Sequence, residues 1–206
     1  MTAPGIAGLD VSRETFDRLT ALSALLQKWN PAINLVAKST LRETWTRHIV
    51  DSAQLYRLAP PQVGHWADLG SGGGFPGLVI AILAAELDVQ RHLTLVESDQ
   101  RKATFLRQAA RELGLTQTTV VSERVESILP LSADVLSARA LAGLPKLCAF
   151  ACLHLSPTGL GLFPKGAQHR DEVAQAKQDW RFDLSVFPSD TDPSAVVLAM
   201  KAIQHV

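Results

Sequence analysis

Apolar positions in the first sixty residues recur at helical spacing. Phe16, Leu19, Leu22, Leu26 and Trp29 share one face of a first helix, which Asn30-Pro31 is expected to end. Thr40 and Glu43 have the spacing of a capping box. Leu41, Trp45, Ile49, Ala53 and Tyr56 then mark one face of a second helix, stopped by Pro60-Pro61. Beyond that the pattern changes. Short apolar runs over 66–69, 92–97, 118–122, 134–138 and 159–163 read as strands. Between them fall helices over 76–86, from a cap at Asp99 to a stop at Gly114, up to Leu153, and over 168–179. Two strands, over 181–187 and 195–202, close the chain. Such alternation implies an α/β fold, a mostly parallel sheet with helices on both faces. Two successive strands at the end imply that one runs antiparallel. The chain reads as a single domain over 1–206, with 1–60 a helical cap and 61–206 the core.

Composition narrows the class. Of 206 residues, 47% are hydrophobic and 19% charged, as expected of a globular domain that needs no disulfide or metal staple. Cys148 and Cys152 lie in an apolar helical stretch and read as small core hydrophobes, so no metal is expected. The first ten residues hold no basic residue and no apolar run, and the apolar stretch over 78–85 is too short to span a bilayer. A cytoplasmic protein is expected, a monomer with no membrane partner. Lys and Arg number 20 and Asp and Glu number 20, which argues against indiscriminate nucleic-acid binding. It does not exclude a local basic face: Arg139, Lys146, Lys165 and Arg170 occupy the stretch 135–170, which contains no acid.

The chemistry concentrates after the first strand of the core, in Asp68-Leu-Gly70-Ser71-Gly72-Gly-Gly74-Phe75-Pro76-Gly77. Glycines between a strand and a helix let backbone N–H groups approach a ligand, and Pro76 suits the first helical turn. Gly72 and Gly77 have P-loop spacing, but Leu78-Val79 follows where Lys and Ser or Thr are required. Gly72, Gly74 and Gly77 formally meet the dinucleotide fingerprint. Asp68, however, would face the pyrophosphate of a dinucleotide, whereas S-adenosylmethionine brings an ammonium and a sulfonium that an acid favours. Glycine-loop N–H groups then suit the cofactor carboxylate. Glu97, ending the next strand, can accept ribose hydroxyls with either cofactor. S-adenosylmethionine is the better fit and a nicotinamide cofactor the alternative.

At this point the sequence resembles the bacterial RsmG/GidB methyltransferase family. Trp29-Asn30-Pro-Ala-Ile-Asn34-Leu35 and Arg47-His48-Ile-Val-Asp51-Ser52 are similar to that family's helical N-terminus. The loop from Asp68 to Gly77, Lys102-Ala-Thr-Phe105-Leu106, Arg124-Val125-Glu126, Ser137-Ala-Arg139-Ala140 and Lys165-Gly166 match further blocks in order. The resemblance implies a class I, Rossmann-like fold and S-adenosylmethionine-dependent methylation of guanosine N7 in the decoding-region loop of 16S rRNA. It implies that Gly70 and Phe75 touch the cofactor's methionine and sugar, that Val125 and Glu126 touch its adenine, and that Arg139 sits between cofactor and target. Asp68, Ser71, Gly72, Gly74, Pro76 and Glu97 complete the expected cofactor set. Lys28, Arg47, His48, Lys165 and Arg170 are candidate RNA contacts. A methyltransferase for another RNA or a small molecule, an NAD-dependent oxidoreductase and a non-catalytic RNA-binding module are the rivals, and the last would need no complete cofactor loop.

Overall fold

The computed structural model describes residues 6–61 and 64–206. Helix α1 (Arg13–Ile33) opens at Ser12, whose hydroxyl accepts the Thr15 N–H at 3.1 Å. It does not end at Asn30-Pro31. Pro31 lies inside its last turn, where the missing N–H forgoes a single ladder bond, and the stop is Asn34 in the left-handed region (φ 47°). Buried Asn30 uses its side-chain oxygen to accept the Val36 N–H at 2.8 Å, which fixes how the chain leaves the helix.

The capping box at Thr40 does not form. The Thr40 hydroxyl donates to the Ala37 carbonyl (3.0 Å) and also faces His48, so it caps nothing. A 3₁₀ turn (Leu41–Glu43) and a wide π-helical stretch (Trp45–Val50) lead instead into α2 (Asp51–Leu58). Wide turns of this kind cluster at functional sites, and this one carries His48.

The core then alternates as expected. β1 (His65–Leu69), α3 (Gly77–Leu87), β2 (His92–Val96), α4 (Gln100–Glu112), β3 (Thr118–Val121), β4 (Ala133–Ser137), α5 (Leu144–His154), β5 (Leu155–Lys165) and α6 (His169–Asp179) are followed by β6 (Trp180–Pro188) and β7 (Val196–His205). Asp99 caps α4 by accepting the N–H groups of Arg101 and Lys102. The seven strands form one sheet in the order β3-β2-β1-β4-β5-β7-β6. β7 runs antiparallel to both neighbours, and the pairs among β1 to β5 are parallel.

Apolar cores lie on both faces of the sheet. α3 explains the long apolar run: every residue from Gly77 to Ala84 is buried, because the sheet covers one side and α1 and α2 cover the other. No helix among the described residues is long and apolar enough to cross a membrane. The chain runs outward from β1 to β2 and β3, then crosses back to β4 on the other side of β1, so the sheet has its switch point there, at the carboxyl ends of β1 and β4.

Candidate active site

The glycine loop is built on a buried acid. Asp68, next to last in β1, has no exposed surface. One carboxylate oxygen accepts the Ser137 hydroxyl at 2.7 Å, and the other accepts the Gly77 N–H at 3.1 Å. Ser137 in turn accepts the Trp66 indole N–H at 2.9 Å. The acid therefore ties β1 to β4 and clamps the start of α3, which returns the loop over the strand end. Burial pushes its pKa up to about 6, against the pull of these hydrogen bonds.

Above it, Gly72 takes a positive φ of 53° and donates its N–H to Glu97 Oε2 at 2.9 Å. Glu97 Oε1 accepts the Asp99 N–H at 2.8 Å, so the carboxylate is oriented from both sides and keeps lone pairs for a ligand. At Gly73, an added Cβ would stand 3.0 Å from the Leu35 carbonyl oxygen, so a side chain there would press on the N-terminal segment where it settles on the loop.

A cavity of about 610 Å³ opens at this point, within the ~300–1,000 Å³ range of ligand pockets. Gly70, Ser71, Gly72, Phe75, Glu97, Val125, Glu126, Arg139 and His48 all line it. Asp68, Gly74 and Pro76 do not. Asp68 lies beneath the loop, Gly74 faces Leu78, and Pro76 sits at the start of α3. Of the three, Asp68 supports the loop from below through Gly77 and Ser137. The walls also include Leu35, Val36, Thr40, Ser98, Lys102, Leu141 and Phe150, none of which the sequence reading assigned to the site. The block Asn30 to Leu35 was the available signal for the first two. Its asparagines are what turn the chain toward the cavity.

Phe75, His48 and Arg139 stand together at one wall. The His48 ring stacks on Phe75 at 5.0 Å, and the Arg139 guanidinium lies 5.5 Å from the Phe75 centroid. Because the Thr40 hydroxyl donates to Ala37, His48 Nε2 donates to Thr40 (2.9 Å), and Nδ1 accepts from Arg139 (3.0 Å). Burial first, then the charges of Arg139 and Arg47, lower the His48 pKa to about 4, so the ring is neutral. Arg139 also donates to Asp51 at 3.1 Å and to the Arg47 carbonyl at 3.1 Å. It is no loose surface cation.

The expected RNA contacts separate. Lys28 and Arg170 are exposed, and half-exposed Arg47 lies 3.5 Å from Asp192. Lys165 is largely buried: with its side chain 9% exposed, it donates to Glu172 at 2.7 Å and to the Ala142 carbonyl at 2.9 Å, so two of its three donors are already taken. His48 likewise belongs to the cavity wall. The acid-free stretch is largely neutralised by acids from elsewhere, Arg139 by Asp51, Lys146 by Glu126 and Lys165 by Glu172.

A parallel sheet with one antiparallel strand near its end, a glycine loop after β1 and an acid ending β2 define a class I S-adenosylmethionine-dependent methyltransferase. Solved structures share the fold. They include an S-adenosylhomocysteine-bound methyltransferase from Podospora anserina (TM-score 0.63, 13% identity, covering 90% of this chain and 87% of that one). A SAM-dependent methyltransferase from Aquifex aeolicus gives a TM-score of 0.61 at 13% identity, covering 86% and 97%. The GidB family model, rRNA small subunit methyltransferase G, matches residues 15–192, and the chain belongs to that family. A relative in Cereibacter sphaeroides named ribosomal RNA small subunit methyltransferase G is 54% identical, covering 98% of this chain and 97% of its own. Another of that name in Ruegeria pomeroyi is 51% identical over the whole of both chains.

Proposed function

We propose that this chain, acting as a cytoplasmic monomer, transfers the methyl group of S-adenosylmethionine to N7 of a guanosine in the decoding-region loop of 16S rRNA. The observation that carries the reading is the family match over 15–192, laid on a cavity whose glycine loop and Glu97 suit this cofactor. The backbone N–H groups of the loop suit a carboxylate, Glu97 suits ribose hydroxyls, and Val125 and Glu126, which line the same cavity, would contact the adenine. Bound there, the cofactor supplies an electrophilic methyl group on a sulfonium.

The remaining work belongs to the protein. Guanine N7 carries an in-plane lone pair and no proton, so no general base is needed. The residues where cavity and acceptor meet fit that requirement: a neutral His48 with pKa about 4 and an Arg139 committed to Asp51 are positioning groups. Their task is to hold acceptor and methyl in line at near-attack distance. Arg139 is an O6 or phosphate contact rather than the bidentate O6/N7 grip common for arginine, since that grip would cover the nucleophile.

Replacing the target guanosine by 7-deazaguanosine tests the acceptor atom. Methyl transfer should vanish while RNA binding persists. Methylation of the deaza substrate would move the acceptor elsewhere.

A further inference from the structure

A second hollow, of about 620 Å³, lies beyond the cofactor cavity. The two share Thr40, His48 and residues 139–142, so they meet across one partition. The far side of the second hollow is made by Glu172 of α6, Lys165 at the end of β5 and the β6–β7 connection around Thr191.

Its charged groups are not equally committed. Asp51 uses both oxygens: Oδ1 accepts from Gln54 (2.9 Å) and Thr191 (3.0 Å), and Oδ2 accepts from Arg139 (3.1 Å). Arg139 and Lys165 are held in their ion pairs. Glu172 differs. Its Oε2 accepts from Lys165 Nζ at 2.7 Å and from the Leu144 N–H at 2.8 Å, whereas Oε1 accepts no hydrogen bond among the described residues. The side chain keeps 27% of its surface exposed, within a hollow. Two donors on one oxygen orient the other, leaving an ionised acceptor that an N–H of a ligand can satisfy.

Resting on the guanosine reading above, we propose that Glu172 is a specificity-determining residue whose Oε1 accepts a hydrogen bond from the 2-amino group of the acceptor guanine. N7 and the 2-amino group lie at opposite ends of the purine. A base that turns N7 through the partition toward the cofactor therefore points its 2-amino group at the far side, where Glu172 stands. Adenine carries only C–H there and leaves the carboxylate oxygen unpaired. A site built around a polar partner rejects the analogue lacking it far more strongly than an apolar pocket rejects a change of size.

Single-turnover methyl transfer to small-subunit RNA carrying guanosine or inosine at the acceptor position tests this, since inosine lacks only the 2-amino group. Wild type should be slower on inosine by roughly 10- to 100-fold, the range for a hydrogen bond to a charged group. In Glu172→Gln the amide carbonyl takes over the donors of Lys165 and Leu144 and turns its NH₂ to the base. The variant should be slow on guanosine, and its preference between the two bases should shrink to within about threefold. S-adenosylhomocysteine affinity by calorimetry should be unchanged. Equal wild-type rates on both bases overturn the proposal without recourse to any variant. So does a Glu172→Gln enzyme that keeps the wild-type ratio, because a purely structural loss lowers both rates alike. A wild-type enzyme that forms no 7-methylguanosine on the guanosine RNA overturns the parent reading instead.

Discussion

The Asp68 carboxyl is wholly buried, takes hydrogen bonds from Ser137 and Gly77, and has its pKa raised to about 6 by burial. The folded protein therefore keeps this proton to higher pH than the unfolded chain, whose value is 3.8. The group's contribution to stability is full below that value and is lost as pH rises through about 6. Asp68→Asn carries no such proton. Urea midpoints should shift in favour of the variant, relative to wild type, between about pH 4 and 7; a constant gap contradicts the elevated carboxyl. At Gly72 the constraint is conformational, since φ is 53°. Valine there is strained and places its branches beside the cavity, so Gly72→Val should lose S-adenosylhomocysteine binding in calorimetry while keeping its circular dichroism spectrum. Normal binding would remove the loop from the site. Residues differed in how far the sequence showed their roles. Glu97 was legible because a strand end beside a glycine loop places it. The support role of Asp68 was not, because its partner Ser137 belongs to a strand that only the sheet order brings alongside. Lys165 looked like a surface cation because its pairing with Glu172 forms only when β5 and α6 pack.

Among elements, α3 shows how the N-terminal cap and the core depend on each other. Its apolar run is indifferent to helical facing because α1 and α2 cover what the sheet does not. Ile80, with no exposed surface, therefore has core neighbours whichever way it points. Ile80→Ala should cost about 2–5 kcal/mol in urea unfolding, the range for truncation of a buried aliphatic side chain. A loss under about 1 kcal/mol would show that the cap leaves this helix open. The alternation of strands and helices was legible along the whole core, since period and punctuation agree there. The segment from Thr40 to Val50 was not. Its residues fit a regular helix on paper, and what widens the turn is a set of contacts, Thr40 to Ala37 and His48 to Arg139, that needs the folded core. For the same reason the extension of α1 past Pro31 escaped notice: Asn34 supplies the stop, and proline precedes it.

At the scale of the molecule, the net charge is zero and the basic stretch is neutralised by acids from elsewhere, so RNA binding is expected to depend only moderately on salt. On the reading proposed above, one of the two adjoining hollows would take the cofactor and the other the base. The membership of the chain in the GidB family names the class of RNA, and the proposed N7 acceptor would need positioning more than proton chemistry. The most direct measurement is nucleoside mass spectrometry of 16S rRNA, taken from a bacterium lacking its own enzyme of this family and incubated with the protein and S-adenosylmethionine. The account predicts one new 7-methylguanosine per RNA, located in the decoding-region loop. A methyl group on another atom, on another nucleotide, or on no RNA at all would contradict it.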